Sequence, residues 1–145
     1  MSVRVQQGPF DFGAECDRFA AGRQDTGAVV TFCGIVRDDG GLRAMEIEHY
    51  PGMTTAAIER MVETARDRWS LTDALVIHRF GPLEPGERIM MVATAAPHRA
   101  DAFAAADYLM DYLKSRAPFW KKEHMQDGTH WVAARAEDED ALSRW

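Results

Sequence analysis

A helix that is stopped by proline and runs straight into aromatic and cationic residues constrains this chain more than any other feature. In Asp111-Tyr-Leu-Lys-Ser-Arg-Ala-Pro-Phe-Trp-Lys-Lys-Glu123 the first residues read as the last turns of an amphipathic helix. Pro118 ends it, because proline lacks the amide that the next turn needs and clashes with the turn before. Phe119 and Trp120 follow at once, with Lys114, Arg116, Lys121 and Lys122 around them. The helix dipole favours cations at a C-terminus, which accounts for Lys114 and Arg116 as a solvated helix end. Lys121 and Lys122 lie past the stop, in a chain of net charge −6. Like charge beside apolar rings is costly there unless an anion is expected.

The rest of the chain supplies strands and helices for that stretch to pack on. Val3 to Val5 alternate as a short strand, and Phe10 to Ala21 read as a helix with Phe12, Cys16 and Phe19 on one face. Gly27 to Arg37 is apolar nearly throughout, the pattern of a central strand. Asp38 to Gly41 is a turn, and Arg43 to Tyr50 alternates as a strand with one wet face. Thr54 is placed to cap a helix whose apolar residues, Ala57 to Trp69, recur at three- and four-residue spacing. Ala74–Phe80 and Arg88–Ala95 read as strands around a turn at Gly81–Gly86, and an Ala-rich helix spans Ala100–Arg116. Asp127-Gly128 is a hairpin signal between Lys121–Gln126 and His130–Ala134, and Glu137–Asp140 reads as a solvated acidic run. The expected class is α+β, a mixed or antiparallel sheet with packed helices.

Composition removes several function classes. At 145 residues, 46% hydrophobic and 28% charged, the chain reads as one soluble globular domain over residues 1–145. No apolar run approaches the roughly 20 residues of a membrane span, and no signal-peptide core opens the chain, so a cytoplasmic protein is expected. Two isolated cysteines and five scattered histidines give no disulfide framework and no metal-ligand spacing. The acidic balance argues against nucleic-acid binding.

Several residues carry candidate chemistry. His98 and Arg99 sit at a helix N-terminus, where free amides, an imidazole and a guanidinium suit a phosphate or carboxylate; the alternative is a capping His beside a surface Arg. Arg99 and Lys114 lie on one helix, about 22 Å apart along its axis. Either they serve two sites or a twofold partner completes one site, and the second arrangement is preferred. Arg37 enters a loop as a binding residue or a rim ion pair. Cys33, in an apolar strand, reads as an inert thiol, and His49 and His78 as structural histidines.

Glu48-His-Tyr-Pro-Gly-Met53, Pro97-His-Arg99, Met110–Lys121 and the closing Arg144-Trp145 together resemble the catalytic (large) subunit of molybdopterin synthases. The resemblance runs in order from about Gly27 onward, and the Met110–Lys121 block is long and of low degeneracy. It implies an α/β hammerhead-type fold and a homodimer that binds two small ubiquitin-like sulfur-carrier subunits as a heterotetramer. The carrier's C-terminal Gly-Gly thiocarboxylate would supply two sulfurs, converting cyclic pyranopterin monophosphate to molybdopterin, with no cofactor or metal. By the same resemblance Lys114 and Lys121 are catalytic. Arg37, His98, Arg99, Arg135, Lys122 and Glu123 join them in binding substrate, with backbone contacts from Ile35 and Val36. Ile35 stands where relatives often carry lysine, and the Asp38–Leu42 loop is short, with two acids. Two other classes share these residues: a module that only binds a phosphorylated small molecule, and a scaffold that holds a ubiquitin-like partner through Phe119 and Trp120.

Overall fold

The apolar run from Asp73 to Arg79 forms β4, and that from Arg88 to Ala96 forms β6; these two are the centre of the molecule. The computed structural model describes residues 1–38, 40–132 and 136–145. Strand β1 (Ser2–Gln6) runs parallel to β4, β4 runs antiparallel to β6, and β2 (Ala28–Ile35) pairs antiparallel with β6 on the far side. The order of this first sheet is therefore β1-β4-β6-β2. A second, antiparallel sheet has the order β5-β3-β7-β8 and comprises β3 (Ala44–His49), β5 (Gly81–Leu83), β7 (Phe119–Met125) and β8 (Gly128–Trp131). The result is α+β with mixed and antiparallel sheets, as the sequence pattern implies.

Alternation along β4 and β6 gives each face of the first sheet its own core. On one face Ala74, Val76, Val92 and Ala96 meet α2 (Met53–Trp69) and α3 (Arg99–Ser115) through Ile58, Val62, Ala105 and Leu109. On the other, Leu75, Ile77, Met91 and Ala93 are covered by Phe10, Phe12, Cys16 and Phe19, which α1 (Phe12–Arg18) and its flanks supply. A third cluster of Val36, Leu42, Ile47 and Leu83 fills the joint between the sheets. Among the described residues no helix is long and apolar enough to cross a membrane.

Four local expectations change. The Gly27–Arg37 run forms an edge strand rather than a central one, with Val29 and Phe32 46% and 40% exposed. An apolar run specifies burial and not what does the burying, so a strand that meets another molecule reads like a central one. Gly52, at φ 79°, is the N-cap of α2. Thr54 lies inside the first turn, where its hydroxyl accepts from the Tyr50 amide (3.2 Å) and donates to the Tyr50 carbonyl (2.9 Å). The Gly81–Gly86 turn contains β5, paired with β3. The acidic run is helical, in α4 (Ala136–Ala141), whose acids in the first turn suit the helix dipole. Smaller shifts follow the same logic: α1 is shorter than Phe10–Ala21 and closes before Ala20, which has φ 58°, and Met125 pairs with Gly128 around Gln126 and Asp127.

Ile58 is fully buried where α2 meets the sheet. Ile58→Ala is expected to cost about 2–5 kcal/mol through lost burial and the cavity left behind, which urea denaturation would read as a lower midpoint at unchanged slope.

Candidate active site

The Pro118 stop turns the end of α3 directly into β7. The Arg116 and Ala117 amides both donate to the Tyr112 carbonyl (2.7 and 3.2 Å), closing the helix, and the chain is extended again from Phe119. In register β7 sets Phe119 opposite His49, Lys121 opposite Ile47 and Lys122 opposite Glu46. Successive side chains of a strand point to opposite faces. Phe119, Lys121 and Glu123 thus share the inner face with His49 and buried Ile47, while Trp120 and Lys122 face outward.

The four cations around the stop therefore separate. Arg116 makes an ion pair with Glu139 of α4, 3.0 Å to each carboxylate oxygen. Lys122 lies 3.8 Å from Glu48 and 4.5 Å from the centre of the Trp131 ring, on the outer face. Lys114, exposed in the last turn of α3, and Lys121, half-buried on β7, remain close enough to act on each other electrostatically. Burial holds the Lys121 amine down at about 8, and the Lys114 charge pushes the same way, while Asp138 and Glu123 oppose them. At pH 7 about one Lys121 in ten is then a free amine, far more than for an ordinary lysine. An amine of this kind can hold an anion and also exchange a proton near neutrality.

The inner floor beside this pair is aromatic. His78 of β4, 5% exposed, stacks on Phe119 with ring centres 3.8 Å apart and planes 18° apart. His49, opposite Phe119 in register, lies 6.3 Å from Phe119 and 4.3 Å from Phe80 between ring centres. Its Nδ1 is buried and has no hydrogen-bond partner among the described residues. Burial pushes His78 down to about 3, opposed by its Nδ1 contact with the Arg79 carbonyl (2.7 Å) and aided by the charges of Lys121, Lys114 and His49. His78 is thus an uncharged ring at neutral pH. By sequence both histidines read as structural, with no link to the lysines, because nothing local marks a stack between two sheets.

The remaining predicted site residues fall elsewhere. His98 occupies the N-cap position of α3, but its side chain makes no capping bond, so capping does not account for it; His98 and Arg99 are both exposed. The helix start is fixed from behind: Gly27 donates to the Ala96 carbonyl (3.0 Å), and a Cβ at Gly27 would collide with the Pro97 carbonyl. Unbroken α3 keeps Arg99 and Lys114 about 22 Å apart. Arg37 is exposed after β2, and Ile35 is 56% exposed beside a bulge. The Val36 amide donates to Glu87 (2.9 Å) and its carbonyl accepts from Gly86 (2.7 Å), so its backbone already has partners. Arg135 lies outside the described residues. Cys33 is half-buried, and burial raises its thiol against the pull of Arg88, in keeping with an inert group.

The Arg144-Trp145 end, singled out by sequence alone, is a clamp. Arg144 donates to both oxygens of Asp107 (3.1 and 3.2 Å) and to Asp111. Trp145 donates from Nε1 to Asp111 (2.6 Å) and meets Trp69 and Tyr108 edge-on, 5.4 and 5.7 Å between ring centres. The clamp ties α4 to α3 and so keeps Asp138 and Glu139 beside the cations.

The site is thus an amine tuned toward neutrality beside a second cation, over an aromatic floor, on an α+β frame. The chain is similar to the molybdopterin synthase catalytic subunit of Cereibacter sphaeroides, at 66% identity with both chains fully covered. Its structure is similar to the molybdopterin biosynthesis MoaE protein from Burkholderia ambifaria, at 49% identity and TM-score 0.86, over 99% of this chain and 97% of that one. The fold is also that of one chain in the structure of a protein–protein complex of subunits 1 and 2 of molybdopterin-converting factor from Helicobacter pylori, at TM-score 0.79 and 19% identity, covering 92% of this chain and 91% of that one. The model of the MoaE protein family matches residues 5–116, and the chain belongs to that family. It is accordingly an enzyme of molybdopterin biosynthesis.

Asp111→Ala removes the acceptor shared by Arg144 and Trp145. Hydrogen exchange is expected to show lost protection in α4, with β4 and β6 unchanged. Loss that extends to β4 and β6, or none at all in α4, would mean that the clamp is not what holds α4.

Proposed function

We propose that the chain inserts sulfur into cyclic pyranopterin monophosphate, taking it from the C-terminal thiocarboxylate of a small ubiquitin-like carrier subunit. The observation that carries this reading is Lys121, a half-buried amine near neutrality beside Lys114. Both reactants are anionic, and two adjacent cations in a partly dry site hold and polarise such groups far better than in water. Lys114, exposed at the rim, receives the thiocarboxylate end and stabilises charge that develops at its carbonyl as sulfur leaves. Lys121, deeper and with Glu123 on its own face, serves the pterin side.

The phosphate grip comes from a second copy of the chain. His98, Arg99 and Arg37, with Arg135, are the anion-binding set, and the length of α3 keeps Arg99 out of reach of Lys114 in one subunit. A twofold pairing through the apolar edge of β2, with Val29 and Phe32 exposed, supplies the missing half in a homodimer. Exposed Tyr50, Met53 and Trp120, with Tyr50 edge-on to Trp120 at 4.6 Å, offer the carrier an aromatic anchor. The Helicobacter pylori complex of subunits 1 and 2 supports a two-protein assembly of this kind, giving a heterotetramer.

A single-turnover assay tests the reading: protein, thiocarboxylated carrier and the cyclic precursor are mixed, and dithiolene pterin is followed by fluorescence after oxidation. Lys114→Ala is expected to lower the rate about 100-fold or more with the fold intact. Because the anionic substrate meets protonated Lys121, kcat/KM falls as pH rises through about 8. Lys121→Arg, which keeps its charge, removes that limb. Precursor bound without product would leave a binding module.

A further inference from the structure

We propose that His78 is a positioning residue for Lys121: stacked on Phe119 across the seam between the two sheets, its ring fixes the start of β7 and keeps water from the amine two residues on. The inference rests on the reading of Lys121 as the titrating group of the sulfur-transfer site. His78 belongs to β4 of the first sheet and Phe119 to β7 of the second, so their stack, 3.8 Å between ring centres, joins the two sheets at the floor of the site. Strand alternation turns Phe119 and Lys121 to the same side. The ring that meets His78 and the amine that works are therefore fixed together. His49, opposite Phe119 in register, closes the column from β3 against Phe80.

His78 does not act as an acid or base itself. Its Nδ1–H is committed to the Arg79 carbonyl, and burial keeps the ring neutral down to about 3. Neutrality has a use here. Lys121 already faces Lys114 from α3, with Asp138 of α4 and Glu123 of β7 as counter-charges. A protonated ring on β4 would add a third cation to that group. An uncharged, tightly packed ring excludes water without adding charge, and desolvation of this kind holds a lysine low.

The chain has only three lysines, Lys114, Lys121 and Lys122, so methylation with carbon-13 formaldehyde labels these and the Met1 amine, and NMR can follow each titration in the folded protein once Lys→Arg variants assign the signals. His78→Ala removes the ring and admits water; the Lys121 signal is expected to titrate well above its wild-type midpoint, toward the ordinary lysine value. His78→Phe keeps the stack and gives up the bond to Arg79, so it loses thermal stability but leaves the Lys121 midpoint in place. That split separates positioning from plain structural support, which would tie the midpoint to stability in both variants. If His78→Ala does not fold, Phe119→Leu breaks the same stack from the other strand and is expected to raise the midpoint likewise. A folded His78→Ala or Phe119→Leu with an unmoved Lys121 midpoint, or a midpoint that rises equally in His78→Phe, overturns the proposal. Turnover is measured alongside. If even the wild type makes no dithiolene, the functional reading fails, while the titrations still decide the role of His78.

Discussion

Holding an amine half-buried next to another cation is unfavourable, and much of the structure around β7 serves to make it tolerable. Lys121 loses hydration and gains the repulsion of Lys114. Against this stand two carboxylates, Glu123 on its own strand and Asp138 on α4, and a floor of packed rings that adds no charge. The central strands β4 and β6, buried on both faces, provide the rigid base for that floor. The clamp at Arg144 and Trp145 keeps the acids of α4 in place. The folded chain carries a depressed lysine, so between about pH 8 and the ordinary lysine value the unfolded chain binds more protons. Stability from this group therefore rises with pH across that window, and an anion bound at Lys121 relieves the same strain at neutral pH.

The sequence shows a dense group of cations after a proline stop, and the fold divides them by partner. Arg116 is neutralised by Glu139, and Lys122 is held by Glu48 and Trp131. What remains at the site is Lys114 and Lys121. Phe119 and Trp120 are divided in the same way: one ring goes inward to His78, the other outward to Tyr50. Adjacent residues thus end in unrelated environments.

Much of this was legible from local pattern. The class, the periodic helices, the stop at Pro118 and the separation of Arg99 from Lys114 all follow from spacing, and the structure has them. Three things were not legible, each for a physical reason. The edge position of β2 was hidden because exposed Val29 and Phe32 look like core residues until the neighbours are known. The part of His78 was hidden because its partner, Phe119, lies far along the chain in another sheet. The helical state of α4 was hidden because its stability comes from cations and a clamp outside it rather than from an apolar face. Lys122 stands beside Lys121 in the sequence, and only the pleat reveals that it points away.

That pleat makes β7 an address read in steps of one residue. Lys121 and Lys122 differ chemically in nothing but the side of the sheet on which each falls. Shifting β7 by a single position against β3 would deliver Lys122 to the rings and send Lys121 out to Glu48, and it would exchange Phe119 for Trp120 beneath it. Two neighbouring lysines are therefore no insurance for each other. The spacing between the proline and the strand, more than the number of lysines, decides which amine becomes reactive.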